Sequence, residues 1–235
     1  MSRPSDAHRQ KPVVIFGTGD IGQLAHAYLS HDSPYTIVAF CADGDLIREP
    51  KLLGLPVVPF ESIETMFPPT GYAMFIALSY RKVNAVRAEK YHAAKAKGYE
   101  LVSYVSTKSA VWDGTPIGDN CFIFEQQTIQ PFVTIGNDVT VWSGNHIGHH
   151  CVIGDHVFIA SHVCLAGHVT VEPYAFLGIN SAIRDGVTIA RGTVVGAGAT
   201  IMKDTVAGGV YMGQHARRHS VDSACSPYFN PVGER

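Results

Sequence analysis

The stretch from residue 147 to residue 165 reads IGHHCVIGDHVFIASHVCL and carries a branched aliphatic side chain at every sixth position. The same register continues without a skip from residue 105 to residue 201, over seventeen positions that hold Val, Ile or Leu. A period of six fits neither the 3.6-residue turn of an amphipathic helix nor the two-residue alternation of a half-buried strand. Hexapeptide repeats are typical of a parallel β-helix, which we therefore predict for residues 105–205.

The bulk composition is that of an ordered globular protein. Of the 235 residues, 46% are hydrophobic and 16% are charged, and the net charge of −2 provides no overall attraction to nucleic acid or to an anionic membrane. The five cysteines are odd in number and form no C-x-x-C motif, which favours free thiols in a reducing cytosol. Residues 1–11 lack the apolar core of a signal peptide, and no run of 18 apolar residues occurs. We expect a cytoplasmic protein without a membrane span.

Residues 1–104 are predicted to form a small α/β domain with a parallel βαβ sheet. An apolar strand at 12–16 runs into the G-x-G-x-x-G loop at 17–22, and a helical segment follows at 23–30. Strand, glycine loop and helix are the context that this motif requires, because the helix N-terminus offers free N–H groups to a phosphate. Further strands are predicted at 35–41, 56–58, 73–78 and 101–105, with a helix at 81–98 that ends at Gly98.

The size of this domain indicates the class of its ligand. The repeats begin directly after it, which leaves no room for the second half of a dinucleotide site. We therefore predict that Gly17, Thr18 and Gly19 bind the diphosphate of a sugar nucleotide, with Asp43 near its base or ribose. A glycine turn that only packs helix against strand, and a nicotinamide site, remain alternatives.

The repeats resemble the [LIV]-G-x-x-x-x pattern of hexapeptide-repeat transferases over residues 105–201. In that family three hexads form one triangular coil of 18 residues, and the coils wind left-handed. The resemblance therefore implies a left-handed parallel β-helix in which residues 18 apart are stacked, about 4.8 Å from one another. Family members are typically trimers with active sites between neighbouring subunits, which implies a homotrimer here.

Six of the twelve histidines lie within residues 146–168, and their surroundings make the resemblance more specific. The segment Ile147-Gly148-His149-His150-Cys151-Val152-Ile153-Gly154 resembles the motif Ile-x-His-x-Cys/Ser-Val-Ile-Gly. This motif surrounds the catalytic histidine of bacterial nucleotide-sugar acetyltransferases of the perosamine and bacillosamine type, which also join a βαβ domain to a left-handed β-helix. Close relatives often carry an acidic residue directly after that histidine, where this chain has His150. Asp155 or Glu125 of a neighbouring subunit is a candidate for the acidic role, and the alternative is that no residue takes it.

The resemblance implies the following roles around one bound acetyl-CoA. His149 would be the general base, and the N–H of Gly167, one coil above it, would face the thioester oxygen. Coenzyme A would contact the backbone near Gly167, Ile179 and Ala197 in the groove between two β-helices. Lys203 would meet a phosphate of coenzyme A, although a solvated lysine is an equal alternative. No Ser-His-Asp arrangement is evident, so we predict direct attack on the thioester.

The predicted function is acetyl transfer from acetyl-CoA to the amino group of a nucleotide-linked amino sugar, by a homotrimer without a metal and without a nucleic-acid partner. Residues 206–235 are predicted to be a C-terminal tail. O-acetylation of a sugar hydroxyl and a non-catalytic trimeric scaffold are the alternatives. A metal ion held by His150 and His168, with His146 and His162 nearby in sequence, is a further alternative, although zinc normally takes three or four protein ligands.

Overall fold

The computed structural model describes residues 11–214 and residue 216, and it shows an α/β sheet domain followed by a β-helix. The predictions on residues 1–10, on Cys225 and on most of the tail at 206–235 fall outside the described residues. The four described cysteines are free thiols, of which only Cys164 is exposed. No described helix has both the length and the apolar character that crossing a membrane demands.

The N-terminal sheet has six strands in the order β3-β4-β2-β1-β5-β6, with helices on both faces. Neighbouring strands are parallel except for the β3–β4 hairpin. The elements are β1 Val13–Phe16, α1 Asp20–Asp32, β2 Ile37–Ala42, a 3₁₀ helix Gly44–Leu46, β3 Lys51–Leu52, β4 Leu55–Pro59, a 3₁₀ helix Phe60–Thr65, β5 Ala73–Ile76, α2 Ala85–Ala96 and β6 Glu100–Leu101. The continuous apolar runs β1 and β5 are buried at every position because they lie centrally between two layers.

The second helix begins later than the sequence predicts. Residues 82–84 have φ values of 51°, 50° and 65°, a left-handed turn that a right-handed helix cannot include. The helix therefore starts at Ala85 rather than at 81. Its end agrees with the prediction, since Gly98 adopts a φ of +85° just beyond the last helical turn.

The β-helix consists of two-residue parallel strands that form three flat faces. Face 1 contains β7 Tyr104–Val105, β9 Phe122–Ile123, β12 Thr140–Val141, β15 Phe158–Ile159, β18 Phe176–Leu177, β21 Val194–Val195 and β23 Val210–Tyr211. Face 2 contains β8 Ala110–Val111, β10 Thr128–Ile129, β13 His146–Ile147, β16 Cys164–Leu165, β19 Ala182–Ile183 and β22 Thr200–Ile201. Face 3 contains β11 Thr134–Ile135, β14 Val152–Ile153, β17 Thr170–Val171 and β20 Thr188–Ile189.

The register of these strands is the 18-residue coil that the resemblance implies. Ile129 pairs with Ile147, and Ile147 pairs with Leu165. The aliphatic residue of each strand points inward, and together these residues form one continuous apolar core. The last pair breaks the pattern, because Val194 pairs with Val210 in a shortened final coil. Strand β23 lies within the segment predicted to be a tail.

The corners between faces repeat a single backbone feature. From residue 114 to residue 198, every sixth residue has a positive φ. His150, His156, His162 and His168 all occupy this position, with φ between 57° and 62°. Histidine and asparagine tolerate the left-handed region better than β-branched residues do. The four histidines are therefore corner residues, as their common place in the hexad predicts.

The N-terminal domain packs on face 1, where four of the seven outward side chains are aromatic, namely Tyr104, Phe122, Phe158 and Phe176. Phe122 packs edge-on against Phe75 of β5, with ring centroids 5.2 Å apart. Phe124 packs in the same way against Tyr28 of α1, at 4.9 Å. Both phenylalanines belong to the apolar cluster that includes one side of the N-terminal sheet. The two domains therefore share a core along this face.

A buried ion pair also joins α2 to the β-helix. The Nε atom of Arg87 lies 3.1 Å from Oδ1 of Asp138, and the two side chains are 1% and 0% exposed. Arg87 also donates to the backbone oxygens of Asp138 and His156, at 2.9 and 3.0 Å. Asp138 accepts hydrogen bonds from Asn120 Nδ2 at 2.7 Å and from His156 Nδ1 at 2.8 Å, whereas its contact with Arg87 Nε is an ion pair without hydrogen-bond geometry. A buried carboxylate with this many donors ties the helix to two successive coils.

Candidate active site

His149 and Gly167 lie one above the other at the corner between faces 2 and 3. Gly167 follows Leu165, whose partner in the neighbouring strand is Ile147. A methyl group on Gly167 would lie 2.5 Å from Cε1 and 2.8 Å from Nε2 of His149. The Nε2 edge of the imidazole therefore rests directly against the Gly167 backbone, and only glycine leaves space for it there.

The N–H of Gly167 is a free donor beside this ring. Among the described residues, no acceptor pairs with it. Some equivalent corner N–H groups have side-chain partners, since His149 donates to Gln130 Oε1 at 2.9 Å and Asn137 donates to Asp155 Oδ1 at 2.7 Å. Others, such as those of Ser161 and Asp185, have none among the described residues either. An unpaired backbone N–H beside an imidazole is a donor that can stabilise a developing oxyanion.

His150 contacts the opposite edge of the His149 ring. The two Nδ1 atoms are 3.1 Å apart, and the ring planes are nearly perpendicular, at 87°. If Nδ1 of His149 carries the proton and donates it to His150, the lone pair of His149 lies on Nε2, beside Gly167. His150 thus stands directly after His149 in sequence, where the resemblance implies an acidic residue in relatives, and it contacts Nδ1 of His149.

The two acidic residues suggested by the sequence are engaged at other corners of the same chain. Glu125 accepts hydrogen bonds from Ser143 Oγ at 2.7 Å and Tyr28 Oη at 2.9 Å, and Asp155 accepts from Asn137. Another carboxylate, that of Asp185, belongs to the same column, two coils above His149. Its Oδ1 lies 2.9 Å from the position of a methyl group on Gly167. Sequence reasoning missed Asp185, although a second step of 18 residues from His149 would have found it.

Cys151 lies close to the base but is not a nucleophile. It has no exposed surface, and its thiol donates to the carbonyl oxygen of Ala166 at 3.1 Å. Burial raises the pKa of the Cys151 thiol to about 11, so the thiolate is scarce at neutral pH. The corner therefore offers a base and an N–H donor, without a residue placed for covalent catalysis.

Ile179 and Ala197 lie at a different corner, between faces 1 and 2. They line a cavity of about 370 Å³, together with aromatic side chains that include Tyr80 and Trp142. Lys203 is exposed and lies in the column of His149, three coils above it. Within one chain the structure does not bring Ile179 and Ala197 to the groove edge that holds Gly167.

The glycine loop has the close contacts that its motif predicts. Gly17 has a φ of +120°, and a side chain there would collide with the carbonyl oxygen of Ala77. A side chain on Gly22 would collide with the carbonyl oxygen of Gly17. By contrast, nothing lies within 4 Å of a methyl group placed on Gly19, at the N-terminus of α1. Two glycines are thus required for packing, while the third leaves the helix N-terminus open.

The loop borders a pocket of about 180 Å³ that contains two basic residues missed by sequence reasoning. Gly17, Thr18, Gly19 and Asp43 line it, as predicted for a common site, together with Arg81 and Lys90. Lys90 Nζ lies 2.6 Å from Oδ1 of Asp43. The other carboxylate oxygen of Asp43 has no partner among the described side chains. Arg81 follows strand β5 and Lys90 lies in helix α2. Neither residue belongs to a recognisable sequence motif.

Comparison with known proteins agrees with this architecture. Residues 132–167 match the family model described as bacterial transferase hexapeptide (six repeats). No curated protein sequence is significantly similar to the chain. Among solved structures, PerB from Caulobacter crescentus in complex with CoA and GDP-perosamine has a TM-score of 0.77 and 27% identity. The match covers 86% of this chain and 94% of PerB.

Two other structures share the fold at lower identity. The acetyltransferase domain of PglB from Neisseria gonorrhoeae has a TM-score of 0.74 at 21% identity, covering 87% of this chain and 97% of that domain. WeeI from Acinetobacter baumannii has a TM-score of 0.69 at 24% identity, covering 88% of this chain and 98% of WeeI. The predicted fold class, an α/β domain followed by a left-handed parallel β-helix, is confirmed. The resemblance to hexapeptide-repeat nucleotide-sugar acetyltransferases is confirmed as well.

Proposed function

We propose that this protein transfers the acetyl group of acetyl-CoA to the amino group of a nucleotide-linked amino sugar, with His149 as general base. The observation that carries the proposal is the pairing of the His149 imidazole edge with the free N–H of Gly167, one coil apart. The likeness to PerB, which was crystallised with CoA and GDP-perosamine, supports the choice of substrates.

The proposed reaction is a direct attack on the thioester. The neutral amine attacks the carbonyl carbon, and Nε2 of His149 accepts its proton as the C–N bond forms. The carbonyl oxygen gains negative charge and receives a hydrogen bond from the Gly167 N–H. Collapse of the tetrahedral intermediate breaks the C–S bond, and the thiolate of coenzyme A takes up a proton. No protein nucleophile and no metal ion is needed.

His150 orients the base in this proposal. By accepting a hydrogen bond from Nδ1 of His149, it holds the tautomer whose lone pair is on Nε2. A neutral imidazole stabilises the protonated base less than a carboxylate would, because it brings no opposite charge. Asp185, whose Oδ1 lies 2.9 Å from the methyl position of Gly167, supplies a negative charge on that side of the ring.

The coenzyme A site is proposed to form between two copies of the chain. Gly167 and the pair Ile179 and Ala197 occupy different corners of one β-helix, so a single CoA can contact all three only if two helices lie side by side. Face 2 joins these corners and carries small outward residues such as Ala182 and Thr200, which would let a second copy approach closely. This geometry supports the predicted homotrimer, with Lys203 above the base for a phosphate of coenzyme A.

The sugar nucleotide is proposed to bind at the glycine loop. The open N-terminus of α1 at Gly19 and the side chains of Arg81 and Lys90 suit a diphosphate. The free carboxylate oxygen of Asp43 is placed for a hydroxyl or base N–H of the nucleoside. The division at residue 104, the C-terminal tail and the cytoplasmic location remain predictions.

The test is a substrate panel. The full chain is incubated with acetyl-CoA and UDP-, dTDP- and GDP-linked amino sugars, and the acetylated product is followed by mass spectrometry. We expect acetylation of at least one amino sugar. Product only with hydroxyl acceptors would replace the proposal by O-acetylation. Absence of product with every acceptor would favour a scaffold.

The role of His149 is tested on the best substrate of that panel. His149→Ala should lower kcat by about 10² or more, because removal of a general base typically costs 10²–10⁴. The matched control is His162→Ala, which removes another exposed corner histidine. Near-normal turnover in His149→Ala, with an unchanged circular dichroism spectrum, would exclude this base.

A further inference from the structure

Three imidazoles converge on the outside of the active corner. One ligand nitrogen from each of His149, His150 and His168 lies within 4.8 Å of the other two. The rings of His150 and His168 are stacked, with centroids 4.7 Å apart and planes 13° apart. Phe132 packs on the other side of His150, with centroids 4.6 Å apart. The cluster is therefore ordered by stacking along the corner, although all three histidines are exposed.

The spacing within the cluster fits a metal ion. Two zinc-bound nitrogens at 2.0–2.1 Å from a tetrahedral ion are roughly 3.4 Å apart. The Nδ1 atoms of His149 and His150 are already 3.1 Å apart. Three imidazole ligands with an open fourth position suit Zn²⁺, and also Ni²⁺ or Cu²⁺.

We propose that His149, His150 and His168 form a binding site for a divalent transition metal such as Zn²⁺, and that the bound ion blocks the base. The second part of this proposal rests on the proposed function. It differs from a catalytic metal, since the ion would compete with the reaction rather than take part in it.

A bound metal ion would prevent His149 from accepting a proton, and the reason is the number of lone pairs on an imidazole. A neutral imidazole has one ring nitrogen with a free lone pair and one that carries hydrogen. If Nδ1 of His149 donates its lone pair to the metal, the hydrogen must be on Nε2. The Nε2 edge faces Gly167, where the amine proton has to be accepted. Metal binding and proton acceptance therefore exclude each other.

Asp185 provides the hydrogen-bond acceptor that the second ring N–H of a metal-bound histidine normally has. A ligating imidazole usually donates its second N–H to a carboxylate or carbonyl. Asp185 Oδ1 lies on the Nε2 side of His149, close to the methyl position of Gly167. Cys151 is excluded as a ligand because its thiol is buried and donates to Ala166.

The first experiment measures zinc binding to the full chain. Protein stripped of metal with a chelator is titrated with Zn²⁺ by calorimetry, at pH 7.5 in a non-coordinating buffer. His168→Asn removes one ligand and keeps the backbone, because asparagine tolerates the positive φ at this corner. We expect one site per chain whose affinity falls about tenfold or more in the variant.

The control is His162→Asn, which makes the same change at an equivalent corner outside the cluster, where φ is 59° compared with 57° at His168. It should bind Zn²⁺ as the wild type does. If the wild type does not bind, or if His168→Asn binds as tightly as the wild type, the site is refuted.

The second experiment tests the block. Acetylated sugar is measured by mass spectrometry, since zinc also binds the thiol of released coenzyme A. Zn²⁺ at about ten times its wild-type Kd should lower the wild-type rate about tenfold, with recovery on adding a chelator, and should lower the rate of His168→Asn by no more than about twofold. Zinc that binds through His168 without inhibition would overturn the block. If the metal-free protein acetylates no sugar in the panel, the proposed function fails, while the titration still decides the metal site.

Discussion

The β-helix and the N-terminal domain are both built on parallel strands, but their functional residues come together in different ways. In the β-helix, the neighbour of any residue is the residue 18 positions away, as His149 and Gly167 illustrate. In the N-terminal domain, Gly17 packs against Ala77, and Arg81 reaches the same pocket across the sheet. The surroundings of the proposed base are thus set by the sequence repeat. The surroundings of the proposed sugar-nucleotide site are set by contacts between distant segments, which are not repeated along the chain.

The junction between the two regions offers the largest expected effect. Arg87→Met should lower the free energy of unfolding by about 3–5 kcal/mol, because it removes the buried positive charge that is paired with the fully buried Asp138 carboxylate. Chemical denaturation measures the change. The control is Lys95→Ala, which breaks the partly exposed pair with Asp119 and should cost less than about 1 kcal/mol. Equal effects of the two variants would show that the buried pair does not hold the regions together.

Gly167→Ala tests the stacked corner of the β-helix. The methyl group would displace the His149 ring, and a displacement of about 1 Å can cost 10²-fold in rate. We expect kcat to fall by about 10–10² with little change in thermal stability, since Gly167 has no positive φ. The double variant with His149→Ala should be no slower than His149→Ala alone. Additive losses would mean that Gly167 acts independently of His149.

Arg81→Ala tests the N-terminal pocket. Loss of one charge-assisted hydrogen bond to a phosphate should raise the KM for the nucleotide sugar about tenfold. Steady-state kinetics should show unchanged kcat and an unchanged KM for acetyl-CoA, because the pocket lies in the other domain. Lys51→Ala, at an exposed position of β3, serves as the control. A rise in the KM for acetyl-CoA would contradict the separation of the two sites.

Asp32 has the smallest expected effect, at a surface contact between α1 and the first coil. Hydrogen bonds from the hydroxyls of Thr107 and Tyr104 lower the pKa of Asp32 to about 2. Because this pKa is below the unfolded value near 3.9, the carboxylate stabilises the fold above that value and loses its contribution as the pH falls toward 2. Asp32→Asn should therefore lower the thermal midpoint by a few degrees at pH 6 and by less at pH 3. An equal difference at both pH values would show that the charge of Asp32 is not involved.

Much of the β-helix was predictable because its pattern repeats. The register of 105–201, the corner place of four histidines and the stacking of Gly167 on His149 all follow from a period of six within a coil of 18. The shortened last coil at β23 was not predictable, since the repeat had ended there. Asp185 was missed although the same period contains it.

In the N-terminal domain, the glycine-loop motif was predictable from the sequence. The full set of residues that line the pocket beside this loop was not. The strand, glycine loop and helix have a local signature, but Arg81 and Lys90 reach the loop only through the order of strands in the sheet. The start of α2 was placed too early because a left-handed turn at residues 82–84 has no clear sequence signal. Contacts between distant segments depend on packing, which no local pattern records.

The sequence by itself predicted a β-helix and the common corner position of four histidines, because the six-residue repeat is regular, while the coil length of 18 residues was implied by the family resemblance. The tertiary structure alone decided that His150 contacts Nδ1 of His149, that Asp185 lies on the opposite side and that Gly167 and Ile179 face different grooves. These relations depend on side-chain direction and on which face the N-terminal domain covers. That domain covers face 1 because its aromatic side chains can be buried only against a second apolar surface.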